Sequence, residues 1–119
     1  MKPITREWIE KAEADFATAR RELRVRRDPN YDAVCFHCQQ CAEKYLKARL
    51  QQDRIVFAKT HNLRVLLDLL LPFYQTWKVL GPDLLVLNNF AVIYRYPGDS
   101  TDLETREMLW RDANVFGRL

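Results

Sequence analysis

Tyr31-Asp32-Ala33-Val34-Cys35-Phe36-His37-Cys38-Gln39-Gln40-Cys41-Ala42-Glu43-Lys44-Tyr45-Leu46-Lys47-Ala48-Arg49-Leu50 is the stretch that decides the fold. Val34, Cys38, Cys41, Tyr45 and Ala48 recur at spacings of three and four, so they share one side of an α-helix. Cys35, Ala42, Leu46 and Leu50 widen that stripe into a face broad enough for a core. The pattern predicts a helix over 30–52, with Asn30 as its cap and Pro29 closing whatever precedes it. His37, Gln40, Lys44, Lys47 and Gln51 line the other side. That line is either a solvated face or a row of donors for an anion. Phe36 lies off the main apolar face, as a lone exposed aromatic or a packing site for a partner chain.

Cys35, Cys38 and Cys41 are the three cysteines, spaced C-x-x-C-x-x-C around His37. An odd count without a signal peptide argues against a disulfide framework. No fourth thiolate exists to complete an iron–sulfur set. The three are expected to be reduced core residues, and neither a metal nor a cofactor is expected.

Outward from this helix, the rest of the chain is also helical. Trp8, Ala12, Phe16, Ala19 and Leu23 predict an amphipathic helix over 5–26, with Thr5 as its cap. Residues 53–60 form a loop, and Thr60 can cap a third helix carrying Leu63, Leu66, Leu67 and Leu70. Pro72 ends or kinks it. Phe73 to Leu80 is helical but poorly bounded. Pro82 suits the first turn of a fourth helix, buried through Leu84, Leu85, Leu87, Phe90, Ala91 and Tyr94 and stopped by Pro97-Gly98. Thr101-Asp102-Leu103-Glu104 fits a capping box for a last helix to about 116. Nothing alternates with period two, so the fold class is all-α, a four- to five-helix up-and-down bundle.

Composition agrees. The 119 residues suit one domain, 1–119, and only 3 are Gly, too few for a turn-rich all-β fold. No apolar run nears the ~20 residues that span a bilayer. Residues 1–7 hold no apolar signal core, so a cytoplasmic location with no membrane is expected. Net charge is only +3, but Arg20, Arg21, Arg24, Arg26 and Arg27 crowd one stretch. They read as a solvated helix end complementing the helix dipole, or as a polyanion-binding patch. Surplus aromatics, Phe36 and Trp77 foremost, suggest self-association.

The polar residues that periodicity leaves unexplained are His37, Lys59-Thr60-His61 and Tyr94-Arg95-Tyr96-Pro97. No Gly-rich phosphate loop or H-E-x-x-H helix occurs. The Phe36-His37-x-Gln39-Gln40-x-x-Glu43-Lys44-x-Leu46-Lys47-Ala48 core resembles the second helix of HEPN domains (higher eukaryotes and prokaryotes nucleotide-binding). Lys59-Thr60-His61-Asn62-Leu63 resembles that family's Lys-Thr-His-(Asp/Asn)-Leu turn, and Arg95-Tyr96-Pro97 its Arg-Tyr-Pro element. Trp8, Ala12, Asp15 and Ala19 fit its first helix.

The resemblance implies a small helical bundle that forms homodimers. It is often paired with a minimal nucleotidyltransferase as a two-component, toxin–antitoxin-like system. Many such domains are metal-independent ribonucleases that use an Arg, four to six intervening residues, then a His at the dimer cleft. Arg95 takes the Arg position, but Ser100, Thr101 and Asp102 stand where the His would fall. Phosphodiester cleavage needs a group that moves protons near neutral pH, so this departure weakens the nuclease reading.

The expected function is therefore a binding module for a nucleotide, RNA or a nucleotidyltransferase partner. An endoribonuclease toxin, with Arg95 as its catalytic residue, is the alternative. The candidate anion site is Arg95 supported by Lys59 and His61, extended by His37 and Lys44. Three of them have a plainer role open to them. Arg95 can pair with Asp99, His61 can brace its turn, and His37 can satisfy a helix interface. Asp99 and Asp102 oppose anions, so weak or partner-dependent affinity is expected.

Overall fold

A computed structural model describes residues 1–93, with side chains described to Asn89. The described chain is all α: α1 (Pro3–Leu23), α2 (Tyr31–Gln52), α3 (Leu63–Leu70), a 3₁₀ helix (Gln75–Leu80) and α4 (Gly81–Ile93). The expected burial of Phe90, Ala91 and Tyr94, the stop at Pro97-Gly98, the capping box, the last helix and Arg95 lie outside the described residues.

The first helix starts earlier and ends earlier than its periodicity predicts. Pro3 opens it, where a fixed φ and a missing N–H cost nothing, and Lys2 is the cap residue. Thr5 is not the cap but a buried first-turn residue, 2% exposed. At the other end, Arg24 and Val25 N–H groups tighten onto Arg21 and Glu22 carbonyls. Asp28 then takes a left-handed φ of 47°, and Glu22 Oε1 accepts from the Asn30 backbone N–H at 2.5 Å. The chain must reverse before Pro29, which truncates the helix. Asn30 caps α2 as expected, accepting from Ala33 N–H at 3.0 Å.

α1 and α2 form an antiparallel hairpin. Lys2 bonds Gln51 and Gln52 at one end, and Glu22 bonds Asn30 at the other. Ala12, Ala19, Cys41 and Ala48 are 3% exposed or less, and small residues let the two backbones approach closely. The neighbouring flank of the same broad face of α2 presents Cys35, Ala42, Leu46 and Leu50 to Leu63, Leu66, Leu67, Leu70, Leu84 and Leu87. Each fully buried leucine is worth about 1.5–3 kcal/mol of transfer free energy. All three cysteines are buried on α2 and none is in a disulfide.

α3 begins later than expected, because Asn62 rather than Thr60 caps it. Asn62 Oδ1 accepts from Arg64 and Val65 N–H groups, while Thr60 Oγ1 accepts from Asn62 N–H. α4 runs antiparallel to α2. Tyr74 bonds Asp53 at the end of α2, whereas Asn88 bonds Leu63 and Asn62 near the level of Gln39. Leu84 and Leu87 are buried, but Leu85 is 53% exposed and not part of the core. Trp77 is half-buried and stacks on Tyr74 at 4.7 Å, so it packs against the core rather than standing free. Phe36 remains 42% exposed. Among the described residues no helix is long and apolar enough to cross a membrane.

Candidate functional site

The Lys59–Asn62 turn docks onto α2 through its polar side. Gln39 Nε2 donates to the His61 carbonyl at 3.1 Å, fixing the turn's backbone. Gln40 Nε2 donates to Gln39 Oε1 at 2.7 Å, which orients that amide. His61 Nδ1 lies 2.9 Å from Glu43 Oε1, and Lys47 Nζ donates to Glu43 Oε2 at 3.2 Å. Lys47 also sits 5.5 Å from the Trp8 ring centroid, in reach of a cation–π contact.

Burial in this cluster is uneven. The side chains of Glu43 and Lys47 are 4% and 6% exposed, whereas that of His61 is 79% exposed. A carboxylate on Nδ1 holds the proton there and leaves Nε2 as the outward acceptor of a neutral ring. Protonation turns the same edge into a donor carrying positive charge. Glu43 and Lys47 cancel each other, so the buried pair adds no net charge behind the ring. Lys59, two residues earlier in the turn, is also exposed.

His37 and Lys44 are placed elsewhere. His37 Nδ1 lies 2.8 Å from Asp15 Oδ1, and Lys44 Nζ pairs with Asp15 Oδ2. Asp15 is 9% exposed on the seam between α1 and α2. No hydrogen bond or ion pair among the described residues joins this cluster to His61. The structure thus brings His61 and Lys59 into one turn and sets His37 and Lys44 on a separate, charge-compensated seam. Arg95 lies outside the described residues.

Sequence reasoning missed the acids that hold these groups. Glu43 and Lys47 are four apart, a legible pair, but their burial depends on Trp8 and His61 from distant segments. Asp15 stands between Ala12 and Ala19 on an apolar stripe, which marks it as a polar residue facing a partner. Lys47 is a buried ion-pair member, not a solvated donor.

Cys41 supplies no nucleophile, since burial pushes its thiol up to about 12 and the thiolate is the reactive form. Among the described residues no group of three His, Cys, Asp or Glu is placed to hold a metal ion. A separate cleft of about 230 Å³ lies where α1 begins and α2 ends, lined by Thr5, Ile9, Tyr45, Arg49 and Trp77.

No curated protein and no solved structure gives a match to this chain. The HEPN domain family model matches residues 5–117, which takes in α1 from Thr5 onward, the Glu43–His61 cluster and the Lys59–Leu63 turn together. By that match the chain belongs to the HEPN domain family.

Proposed function

We propose that this HEPN domain is a non-enzymatic module that binds the phosphate of a nucleotide or RNA, with His61, Lys59 and Arg95 as the anion-binding residues. The observation that carries this reading is the His61–Glu43 contact. It anchors the base of an exposed imidazole on a buried carboxylate, so the outer edge is presented at little further cost in side-chain entropy. Lys59 adds an ammonium in the same turn. The lack of a His at residues 100–102 supports binding over catalysis. The module works as a homodimer beside a minimal nucleotidyltransferase, in a toxin–antitoxin-like pair, as its family resemblance suggests. The exposed Phe36 ring supports self-association.

Calorimetry with ATP, GTP and a short RNA at low salt tests the reading. His61→Ala and Arg95→Ala are each expected to weaken binding about ten- to a hundredfold, the worth of one charge-assisted hydrogen bond. Unchanged affinity in both variants overturns the site. Sedimentation at micromolar concentration tests the dimer, because an interface of ~1,600 Å² holds there.

The same dyad favours one second reading, a metal-independent endoribonuclease. A carboxylate-oriented imidazole is the group that cleavage requires. Labelled RNA incubated with the protein and EDTA decides it. Cleavage abolished by His61→Ala establishes the enzyme, and intact RNA removes it.

A further inference from the structure

Residues 20–27 hold five arginines against the single Glu22, a local charge of +4 that exceeds the +3 of the whole chain. Everything outside this stretch is therefore net acidic. All five side chains are exposed. None pairs with a carboxylate among the described residues, although Arg49 and Arg64 do. Glu22 is turned onto the Asn30 backbone N–H, and Arg21 donates to the Thr18 hydroxyl.

Complementing a helix dipole takes about half a charge at the C-terminal end. Five guanidiniums oversupply that several-fold, so the solvated-end explanation accounts for one or two of them. The patch has no lysine, and arginine's planar fork matches phosphate oxygens where an ammonium does not. It also lacks the apolar centre of a protein interface, because Val25 at 42% exposure is the one exposed large hydrophobic residue within it. A phosphate backbone needs no such centre.

We infer that the α1–α2 turn is a docking surface for the phosphate backbone of RNA, separate from the His61 site. This goes beyond the proposed function, because a single nucleotide cannot touch both places. Asn30 and Glu43 are thirteen residues apart on α2, or about 20 Å at 1.5 Å per residue. Binding at the patch therefore strengthens with RNA length.

Fluorescence anisotropy of the full chain with labelled single-stranded RNAs of increasing length, over a salt series, tests this. The triple variant Arg24→Gln, Arg26→Gln, Arg27→Gln is expected to lose at least about tenfold in affinity for the longer RNA. Its log–log salt slope should shrink by about 2, three lost contacts at ~0.7 each. A charge-matched control, Arg6→Gln, Arg54→Gln, Arg64→Gln, changes net charge equally and should stay within about threefold of wild type. Arg→Lys at 24, 26 and 27 keeps the charge and restores most of the binding and the salt slope. Equal losses in the triple variant and its control overturn the docking surface, because they reduce the effect to net charge. An unchanged slope in the triple variant overturns it too, as does stronger binding of poly-glutamate than of RNA. ATP binding that persists in the triple variant leaves the His61 site standing. ATP binding lost in His61→Ala, with RNA docking retained, removes nothing from the patch.

Discussion

Nδ1 of His61 and Oε1 of Glu43 lie 2.9 Å apart, joining a side chain that is 79% exposed to one that is 4% exposed. A buried charge thus has one ligand at the surface and another, Lys47, in the interior. The consequences for stability fall on the interior half.

Glu43→Ala is expected to cost about 3–5 kcal/mol, because it leaves the Lys47 ammonium buried without its partner. The double variant Glu43→Gln, Lys47→Met should recover most of that loss, since the uncompensated charge is gone. His61→Ala should cost far less, its ring being mostly in water. Urea unfolding of the three variants reads the order directly.

Asn62→Ala removes the acceptor for Arg64 and Val65 N–H groups and for the Asn88 amide. A loss of about 1 kcal/mol is expected from the cap. Thr60→Ala removes only the bond from Asn62 N–H and should cost less. The reverse order, measured by thermal melts, would restore Thr60 as the cap of α3.

At alkaline pH, the buried Cys41 governs a distinct decline. Burial, reinforced by the negative charge of Asp15, lifts its pKa from 9.0 to about 12. Between those values the unfolded thiol ionises while the native one stays protonated. The unfolded state then binds fewer protons, so stability falls as pH rises from 9 to 12, by at most about 1.4 kcal/mol per pH unit. Burial also raises Tyr45 from 10.0 to about 12, and that group adds to the decline above pH 10. Cys41→Ala should flatten the slope, read from denaturation midpoints across the range.

On the acid side, Asp53 is held below its ordinary 3.8. Burial alone would raise it, but the Tyr74 hydroxyl at 2.5 Å and Arg49 at 2.8 Å together prevail. A depressed carboxyl stabilises the fold above its unfolded pKa, and that contribution fades as pH falls through the native value. Tyr74→Phe should move the Asp53 titration upward and narrow the stability difference between pH 7 and pH 3. A carboxyl-carbon NMR titration would show it. An unmoved Asp53 resonance would dismiss the hydroxyl as a cause.

The bounds of α2 are legible in sequence to within a residue, because Asn30, Pro29 and an apolar period of three and four are all local signals. The start of α3 is not. Thr60 and Asn62 are both competent caps, and the Asn88 amide that engages Asn62 arrives from 26 residues away. Leu85 was equally opaque, since α4 is apolar nearly all round and its buried side depends on where α3 lies. Of the candidate site, the Lys59–His61 turn is visible as a motif. Its attachment to Glu43 depends on how the turn folds back onto α2, and the diversion of His37 and Lys44 to Asp15 on how α1 lies against α2; no local pattern encodes either.

The α1–α2 hairpin also orders events in time. Its two helices are linked by seven residues, Arg24 to Asn30, so closing it costs less chain entropy than any other pairing of long elements here. Its contacts, from Lys2–Gln52 to Glu22–Asn30, are expected to form before α4 returns along α2. On that account Ala19→Gly slows refolding, whereas Leu84→Ala chiefly speeds unfolding. The hairpin is then the nucleus on which the later leucines condense.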